Sequence, residues 1–144
     1  MNKGTIIKNI SNQYEVLFED GSIQTCLAMG KVRLDKKPLV GDHVLVEQFD
    51  SQYGIQKILE RKNYLVRPAI ANVDQALIVM SSFEPDFSSI LVDRLIFLIS
   101  YANIKPVICI TKMDLVKKDD PIFEKIEDYR KSGYEVYTTG KDFD

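Results

Sequence analysis

Apolar and polar residues alternate along short runs in the first half of the chain, which is the period-two pattern of half-buried β-strands. The runs cover residues 4–8, 14–18, 23–27, 44–46 and 53–58. Asp20-Gly21 separates two of them and is a strong signal for a hairpin turn. Five short strands in succession predict a small β-barrel, with the OB-fold as the leading candidate.

The second half of the chain changes to longer periodic segments. Mainly apolar runs predict buried strands at residues 73–80, 106–110 and 134–137. Helices are predicted between them, at residues 90–102 with Ser88 or Ser89 as the cap, and from Pro121 to Gly133. This β-α-β-α-β order implies parallel strands joined by right-handed crossovers. Because the first of these helices is apolar nearly all round, we expect it to be covered on more than one side.

A charged segment at residues 61–68 separates the two patterns and ends in Pro68. Such shifts in composition mark domain boundaries. The sequence therefore predicts two domains. An OB-fold barrel occupies residues 1–68, and an α/β domain with a parallel sheet occupies residues 69–144.

Composition places the chain among globular proteins, because 45% of its 144 residues are hydrophobic and 28% are charged. The longest nearly apolar stretch, residues 90–102, is too short and too charged to span a bilayer, and no secretory signal precedes the first strand pattern. Cys26 and Cys109 lie far apart, which favours free thiols in a reducing cytoplasm. With a single histidine, His43, no metal site is recognisable. We therefore expect a cytoplasmic protein with no membrane partner and no metal ligands.

The strongest candidate for chemistry is Thr111-Lys112-Met113-Asp114, which directly follows a predicted buried strand. Open α/β sheets bind ligands at the carboxyl ends of their strands. A carboxylate at Asp114 can accept both N1–H and the exocyclic amine of guanine, whereas adenine would leave it unpaired. The stem of Lys112 can lie along the base, with its ammonium near backbone carbonyls or the ribose. The alternative is an ordinary polar turn in which Asp114 only organises the loop.

A second candidate loop, Thr139-Gly140-Lys141, follows the last predicted strand. It can present a backbone N–H to the guanine carbonyl oxygen, and it can equally be an ordinary tight turn. It is not a phosphate loop, because that motif needs glycine and a hydroxyl where Glu135 and Asp142 stand. The chain therefore shows no triphosphate cradle, and no residue in it is predicted to be catalytic.

Basic residues cluster in the first half, in one predicted loop and at the boundary segment. They are Lys31, Arg33, Lys36, Lys37, Arg61 and Lys62. Aromatic residues interleave with the strands, namely Tyr14, Phe18, Phe49 and Tyr53. Basic grooves with stacking aromatics bind single-stranded nucleic acid in barrels of this kind. The first 70 residues hold 10 Lys and Arg against 8 Asp and Glu, so charge alone leaves a solvated surface and core aromatics as the alternative.

Several groups of residues carry a resemblance to a known family, and they follow one another along most of the chain. They are Arg61-Lys62-Asn63, Leu65, Arg67-Pro68, Ala71-Asn72-Val73-Asp74-Gln75, Glu84-Pro85-Asp86-Phe87, Leu91-Val92-Asp93-Arg94 and Thr111-Lys112-x-Asp114. In this order they resemble the bacterial circularly permuted GTPases that act on the small ribosomal subunit.

The resemblance implies an OB-fold that contacts ribosomal RNA, followed by a GTPase domain in which the guanine motif precedes the phosphate loop. It implies GTP or GDP as ligand, with the base held by Thr111, Lys112, Met113 and Asp114 and by the loop of Thr139, Gly140 and Lys141. Mg²⁺ and a structural Zn²⁺ are implied only for a longer family member, with no ligands in this chain. Thr111 stands where GTPases generally have Asn, which implies weaker base recognition or loop bracing.

The resemblance also implies that these 144 residues lack the hydrolytic apparatus. We then expect an open edge on the strand at residues 73–80 and an uncovered face on the helix at residues 90–102, with self-association through them. The expected partner is the small ribosomal subunit and its RNA. The alternative function is a standalone RNA-binding module without a nucleotide role.

Overall fold

A computed structural model describes residues 1–141, with the side chains of residues 33–35 left out. The chain divides into two compact units, Met1–Val73 and Asp74–Asp144. The boundary predicted near residue 68 falls inside the first unit, in a turn between two short paired strands. None of the helices within the described residues is long and apolar enough to cross a bilayer.

The first unit is built on five strands that close into a barrel. They are β1 (Asn2–Ile10), β2 (Gln13–Phe18), β3 (Ile23–Ala28), β4 (His43–Phe49) and β5 (Gln52–Ile58). Their order around the barrel is β1-β2-β3-β5-β4. The pair β3 and β5 is parallel, and the other pairs are antiparallel. The predicted OB-type barrel is confirmed.

The barrel core comes from the inward residues of the alternating strands, since successive side chains in a strand point to opposite faces. The fully buried positions include Ile6, Val16, Val44 and Ile55. Cys26 is also fully buried, and burial raises the pKa of its thiol to about 11, so it stays protonated near neutral pH. Tyr14 is 4% exposed and packs in this core, which removes it from the expected set of stacking aromatics.

A short helix, α1 (Gly30–Asp35), follows β3 where the sequence pattern predicted a loop. Val32 is buried against the barrel core and anchors this helix. One and a half turns contain too few residues to show a helical period, so the pattern could not reveal it. The basic residues expected in a loop therefore lie on and just after a helix.

A buried ion pair ties the charged boundary segment to the barrel. The Asp42 carboxylate is completely buried, and its Oδ1 and Oδ2 accept bonds from Arg61 Nε at 2.7 Å and Nη2 at 2.8 Å. Asp42 Oδ2 also accepts the backbone N–H of Leu39 at 2.8 Å. This forked geometry is the strongest form of a charge-assisted hydrogen bond between these side chains.

Two asparagines extend the same connection through the backbone. Asn72 Nδ2 donates to the Gly41 carbonyl at 2.8 Å, and Asn63 exchanges two 2.7 Å bonds with the backbone of Val73. Gly41 has φ of +95°, and a Cβ there would collide with the carbonyl of Ala71. The strands β6 (Tyr64–Leu65) and β7 (Ile70–Ala71) pair within this segment, so it belongs to the barrel unit.

The second unit alternates strands and helices around a parallel sheet. Its elements are β8 (Gln75–Ser81), α2 (Ser89–Tyr101), β9 (Lys105–Thr111), α3 (Ile122–Lys131) and β10 (Glu135–Thr138). The sheet order is β10-β9-β8, and both strand pairs are parallel. The predicted β-α-β-α-β arrangement is confirmed.

Local side chains set the ends of these helices. Ser88 caps α2 by accepting the N–H of Leu91 at 3.3 Å, as one of the two predicted candidates. Asp120 Oδ1 accepts the N–H of Ile122 at 2.9 Å, so α3 begins one residue after the predicted Pro121. Gly133 follows α3 with φ of +94°, a conformation that favours glycine and ends the helix.

Within the described residues, one face of the sheet is buried, and the other face is largely exposed apart from Val107 of the central strand. Ile78, Ile108 and Val136 lie in register and are buried, whereas Leu77, Val79 and Tyr137 are more than half exposed. Helix α2 likewise buries Val92, Ile96 and Ile99 and exposes Ile90, Phe97 and Tyr101. The expectation that α2 is covered on more than one side is therefore wrong for residues 1–141, while the expected uncovered face and the β8 edge are present.

We expect Asp42→Ala to lower the free energy of unfolding of the barrel by about 3 kcal/mol, because it leaves the Arg61 charge without its buried partner. Urea unfolding followed on amide NMR signals of β1–β5 measures this. Glu47→Ala removes an exposed carboxylate from β4 and is the matched control. Equal midpoints for the two variants would contradict a structural role for the pair.

Candidate functional site

The carboxyl ends of the three parallel strands meet at one edge of the second unit. Ser81 of β8 lies in register with Thr111 of β9, and Ile110 lies in register with Thr138 of β10. The loops that follow these strands therefore start side by side. This is the position at which open α/β sheets bind ligands.

The loop after β9 reverses sharply at Lys112, whose φ is +60°. Met113 follows with 2% exposure and anchors a single 3₁₀ turn, Met113–Leu115, closed by the Leu115 N–H donating to the Lys112 carbonyl at 3.0 Å. Met113 was predicted among the base-binding residues, and its side chain lies in the core. Only its backbone can face a ligand.

Two backbone hydrogen bonds join the two predicted base-binding loops. The Met113 N–H donates to the Thr139 carbonyl at 2.9 Å, and the Thr139 N–H donates to the Ile110 carbonyl at 2.9 Å. The sequence placed these loops 25 or more residues apart, and the parallel sheet brings them together. Gly140 and Lys141 continue from this junction, and Lys141 is exposed.

The Asp114 side chain is exposed. Among residues 1–141 it has no hydrogen bond and no ion pair, so no neighbour in the described structure explains its carboxylate as a loop brace. Lys112 Nζ lies 2.9 Å from the Glu84 carbonyl oxygen and 3.4 Å from that of Phe83. The Lys112 ammonium therefore lies near backbone carbonyls of the loop that follows β8.

Ser82 is the residue at this edge that the sequence pattern did not single out. It is 7% exposed, and its hydroxyl lies 2.7 Å from the Thr111 carbonyl oxygen and 2.8 Å from that of Lys112. By contrast, the Thr111 hydroxyl is 3.5 Å from its nearest acceptor, the Met80 carbonyl. Only the register of β8 against β9 reveals this contact, because the residues are far apart in sequence.

The residues predicted to bind RNA do not form one uniform set. Lys31, Lys37 and Lys62 are exposed and Lys36 is half-buried, while the side chain of Arg33 lies outside the described residues. Arg61 is instead held by Asp42 and by the Lys37 carbonyl at 2.9 Å, so the structure gives it a structural role in place of the predicted RNA contact.

One groove of the barrel combines basic and apolar lining. Its volume is about 320 Å³, and Lys31, Val32 and Lys57 line it. Of the expected stacking aromatics, Phe49 is 45% exposed, and the half-buried rings of Phe18 and Tyr53 lie 6.4 Å apart. Within residues 1–141, no group of His, Cys, Asp or Glu side chains is arranged to hold a metal ion.

Sequence comparisons match both units to one family. A family model described as the RsgA N-terminal domain matches residues 3–55, and one described as RsgA GTPase matches residues 58–143. The chain belongs to the RsgA GTPase family. Together the two matches cover the barrel and the parallel sheet.

Curated relatives of the family carry the name small ribosomal subunit biogenesis GTPase RsgA. The Bacillus cytotoxicus protein is 49% identical over 145 residues, which cover 96% of this chain and 48% of that protein. The Bacillus subtilis protein is 46% identical over 154 residues, covering 100% of this chain and 51% of the relative. The chain thus spans about half the length of the curated relatives it matches.

Two solved structures share this fold at high similarity. YloQ, described as a circularly permuted GTPase, superposes with a TM-score of 0.86 at 42% identity over 98% of this chain and 52% of that chain. YjeQ from Thermotoga maritima gives a TM-score of 0.86 at 31% identity over 96% of this chain and 51% of its own. The predicted fold class, an OB barrel followed by part of a circularly permuted GTPase domain, is confirmed.

Because Asp114 is exposed and makes no bond within residues 1–141, Asp114→Ala is expected to change the free energy of unfolding of the second unit by less than about 0.5 kcal/mol. The neighbouring Met113→Ala should cost about 2–5 kcal/mol, since Met113 is buried. Urea unfolding followed on amide signals of β8–β10 compares them. A large cost for Asp114→Ala would support the loop-bracing alternative.

Proposed function

We propose that this chain supplies the RNA-binding barrel and the guanine-recognition half of a GTPase that assists maturation of the small ribosomal subunit. The observation that carries the proposal is the exposed Asp114 carboxylate, without a partner in residues 1–141, at the carboxyl edge of the parallel sheet. The names of the curated relatives support the ribosomal context.

In the proposed complex, Asp114 accepts N1–H and the exocyclic amine of guanine with its two carboxylate oxygens. A carboxylate makes charge-assisted bonds to both donors, and adenine offers no such pair. The Lys112 stem lies against the base while its ammonium keeps the carbonyls of Phe83 and Glu84. In the loop of Thr139, Gly140 and Lys141, the backbone N–H groups of Gly140 and Lys141 are proposed to face the guanine carbonyl oxygen, since the Thr139 N–H donates to the Ile110 carbonyl.

We propose that residues 1–144 bind the base of GTP or GDP without hydrolysing GTP. Hydrolysis is attack of water on the γ-phosphate, and it depends on a phosphate cradle and Mg²⁺. The sequence contains no phosphate-loop motif, and no catalytic residue is assigned to it. The side chains that hold Mg²⁺ and a structural Zn²⁺ are proposed to come from parts of the GTPase other than residues 1–144. Phosphate release by this polypeptide in the presence of small subunits would contradict the proposal.

Lysines on the barrel are proposed to contact ribosomal RNA in the cytoplasm. Lys31 and Lys37 are exposed near α1, and Lys36 and Lys62 lie in the neighbouring segments. Arg61 is left out of this surface because its guanidinium is bonded to Asp42. Phosphate contacts from lysine give affinity that is independent of base sequence and falls with salt.

The guanine proposal is tested in a hybrid in which this chain replaces the matching half of the Bacillus subtilis relative. We expect the hybrid to prefer GDP over ADP and xanthosine diphosphate, and Asp114→Ala to weaken GDP binding about a hundredfold. Asp114→Asn should shift the preference to xanthosine diphosphate, because an amide can accept N1–H and donate to the second carbonyl of xanthine. Fluorescent-nucleotide displacement measures all three ligands.

The matched control for this experiment is Asp119→Ala, which removes another exposed carboxylate of the same loop region. It should leave the base preference unchanged. Unchanged discrimination in Asp114→Ala would remove the basis of the guanine proposal.

A standalone RNA-binding module is the second candidate, favoured by the basic groove that Lys31 and Lys57 line. Filter binding to small-subunit ribosomal RNA at several salt concentrations tests the surface itself. We expect Lys31→Ala with Lys37→Ala to weaken binding and to reduce the salt slope by about 0.7–0.9 for each lost phosphate contact. Lys131→Ala on α3 is the control, since it removes an exposed charge from the other unit. RNA binding by residues 1–73 with no preference for GDP over ADP in the whole chain would favour the module.

A further inference from the structure

Ser82 lies next to the proposed base-binding loop and outside every set of residues that the sequence assigned to it. Its side chain is buried, with 7% exposure, in a unit whose other serines at this edge are more exposed. The Ser82 hydroxyl has a single proton. It can donate this proton to the Thr111 carbonyl oxygen, 2.7 Å from Ser82 Oγ, or to the Lys112 carbonyl oxygen, 2.8 Å away. The Ser82 backbone N–H also donates to the Thr111 carbonyl at 3.0 Å. Because the N–H serves the Thr111 carbonyl, the hydroxyl proton is available to the Lys112 carbonyl, and the residue that follows β8 can bond two successive carbonyls of the neighbouring loop.

These carbonyls flank an unusual backbone conformation. Lys112 adopts φ of +60°, a region that side-chain-bearing residues rarely occupy because Cβ crowds the following carbonyl. The Lys112 carbonyl accepts the Leu115 N–H at 3.0 Å on one side and the Ser82 hydroxyl on the other. Ser82 therefore opposes relaxation of Lys112 into an ordinary conformation, which would rotate the residues that follow it.

The hydroxyl within the loop does not serve this purpose. Thr111 Oγ1 is 3.5 Å from the Met80 carbonyl, at the long limit of a hydrogen bond. The resemblance implied weaker bracing of the loop by a threonine at position 111. Ser82, which follows the neighbouring strand β8, supplies hydrogen bonds that brace the loop in its place. Since the Asp114 carboxylate has no partner of its own in residues 1–141, its placement depends on the backbone that precedes it.

We propose that Ser82 is a positioning residue for base specificity, which holds the reversal at Lys112 so that both oxygens of Asp114 face the two donors of guanine. This rests on the proposed guanine-binding function. A forked contact needs both oxygens in place, whereas a single hydrogen bond tolerates rotation. Loss of the Ser82 hydroxyl therefore weakens recognition of the exocyclic amine more than it weakens contact with the rest of the nucleotide.

The experiment titrates the 144-residue chain with GMP and with IMP, which lacks the exocyclic amine, and follows amide NMR signals of residues 111–115 and 139–141. We expect the unmodified chain to prefer GMP, and Ser82→Ala to reduce the ratio of the two affinities about tenfold. Ser100→Ala is the control, because Ser100 is exposed near the end of α2 and its hydroxyl makes no hydrogen bond within residues 1–141. It should keep the full ratio.

A second variant separates hydrogen bonding from folding. Ser82→Cys fills nearly the same volume and replaces a strong donor by a weak one, so it should lower the ratio as Ser82→Ala does. Signals from β8–β10 confirm that each variant is folded. If GMP and IMP affinities fall equally, or if both Ser82 variants keep the ratio, the positioning role is wrong. If the unmodified chain shows no preference for GMP, the proposed function itself fails and the specificity role fails with it.

Discussion

The parallel pairing of β8, β9 and β10 is the constraint on which the candidate site depends. It sends three chain segments out of the sheet at one edge, and the register of the strands decides which residues meet there. The backbone bonds between Met113 and Thr139 then fix the second loop against the first. Residues far apart in sequence therefore form one surface, and the side chains of Ser82 and Lys112 add bonds between the loops after β8 and β9.

The barrel unit is held by a different kind of interaction. In the sequence, the charged segment at residues 61–68 was interpreted as the boundary between the domains. In the structure, Arg61 of this segment binds the Asp42 carboxylate, so the segment is part of the barrel unit. Asn63 and Asn72 complete the attachment by bonding backbone groups that would otherwise lack partners. Three residues of this segment that carry the family resemblance, Arg61, Asn63 and Asn72, thus have a structural role in the barrel unit.

Elements with a clear hydrophobic pattern were predictable, and those too short to show one were not. The five barrel strands follow from burial on one face of each strand. The strands around Ile78, Ile108 and Val136 were predicted as buried from mainly apolar runs, and the exposure of their alternate residues was not predicted. The helix α1 and the pair β6 and β7 are too short to show a period. Helix α2 was expected to be enclosed because its composition is apolar, and composition does not state which neighbours are present.

The residues of the candidate site likewise divide into those that a local sequence pattern predicts and those that it does not. Asp114 and the Thr139 loop could be located because they directly follow apolar strands, which is a local pattern. Ser82 could not be found, since its partners are set by the register of two strands that are separated by a whole helix. Arg61 was assigned to RNA because a charge in a basic segment looks available, and its buried partner Asp42 lies 19 positions away in sequence.

The exposed face of the parallel sheet also contains a thiol that can be labelled, that of Cys109. Cys109 lies in register between Val79 and Tyr137, two residues that are each 57% exposed, at the centre of that apolar surface. The other thiol, Cys26, is sealed in the barrel and stays protonated near neutral pH. A maleimide dye would therefore attach to a single position, and its emission would report directly when another layer of polypeptide comes to rest on the sheet.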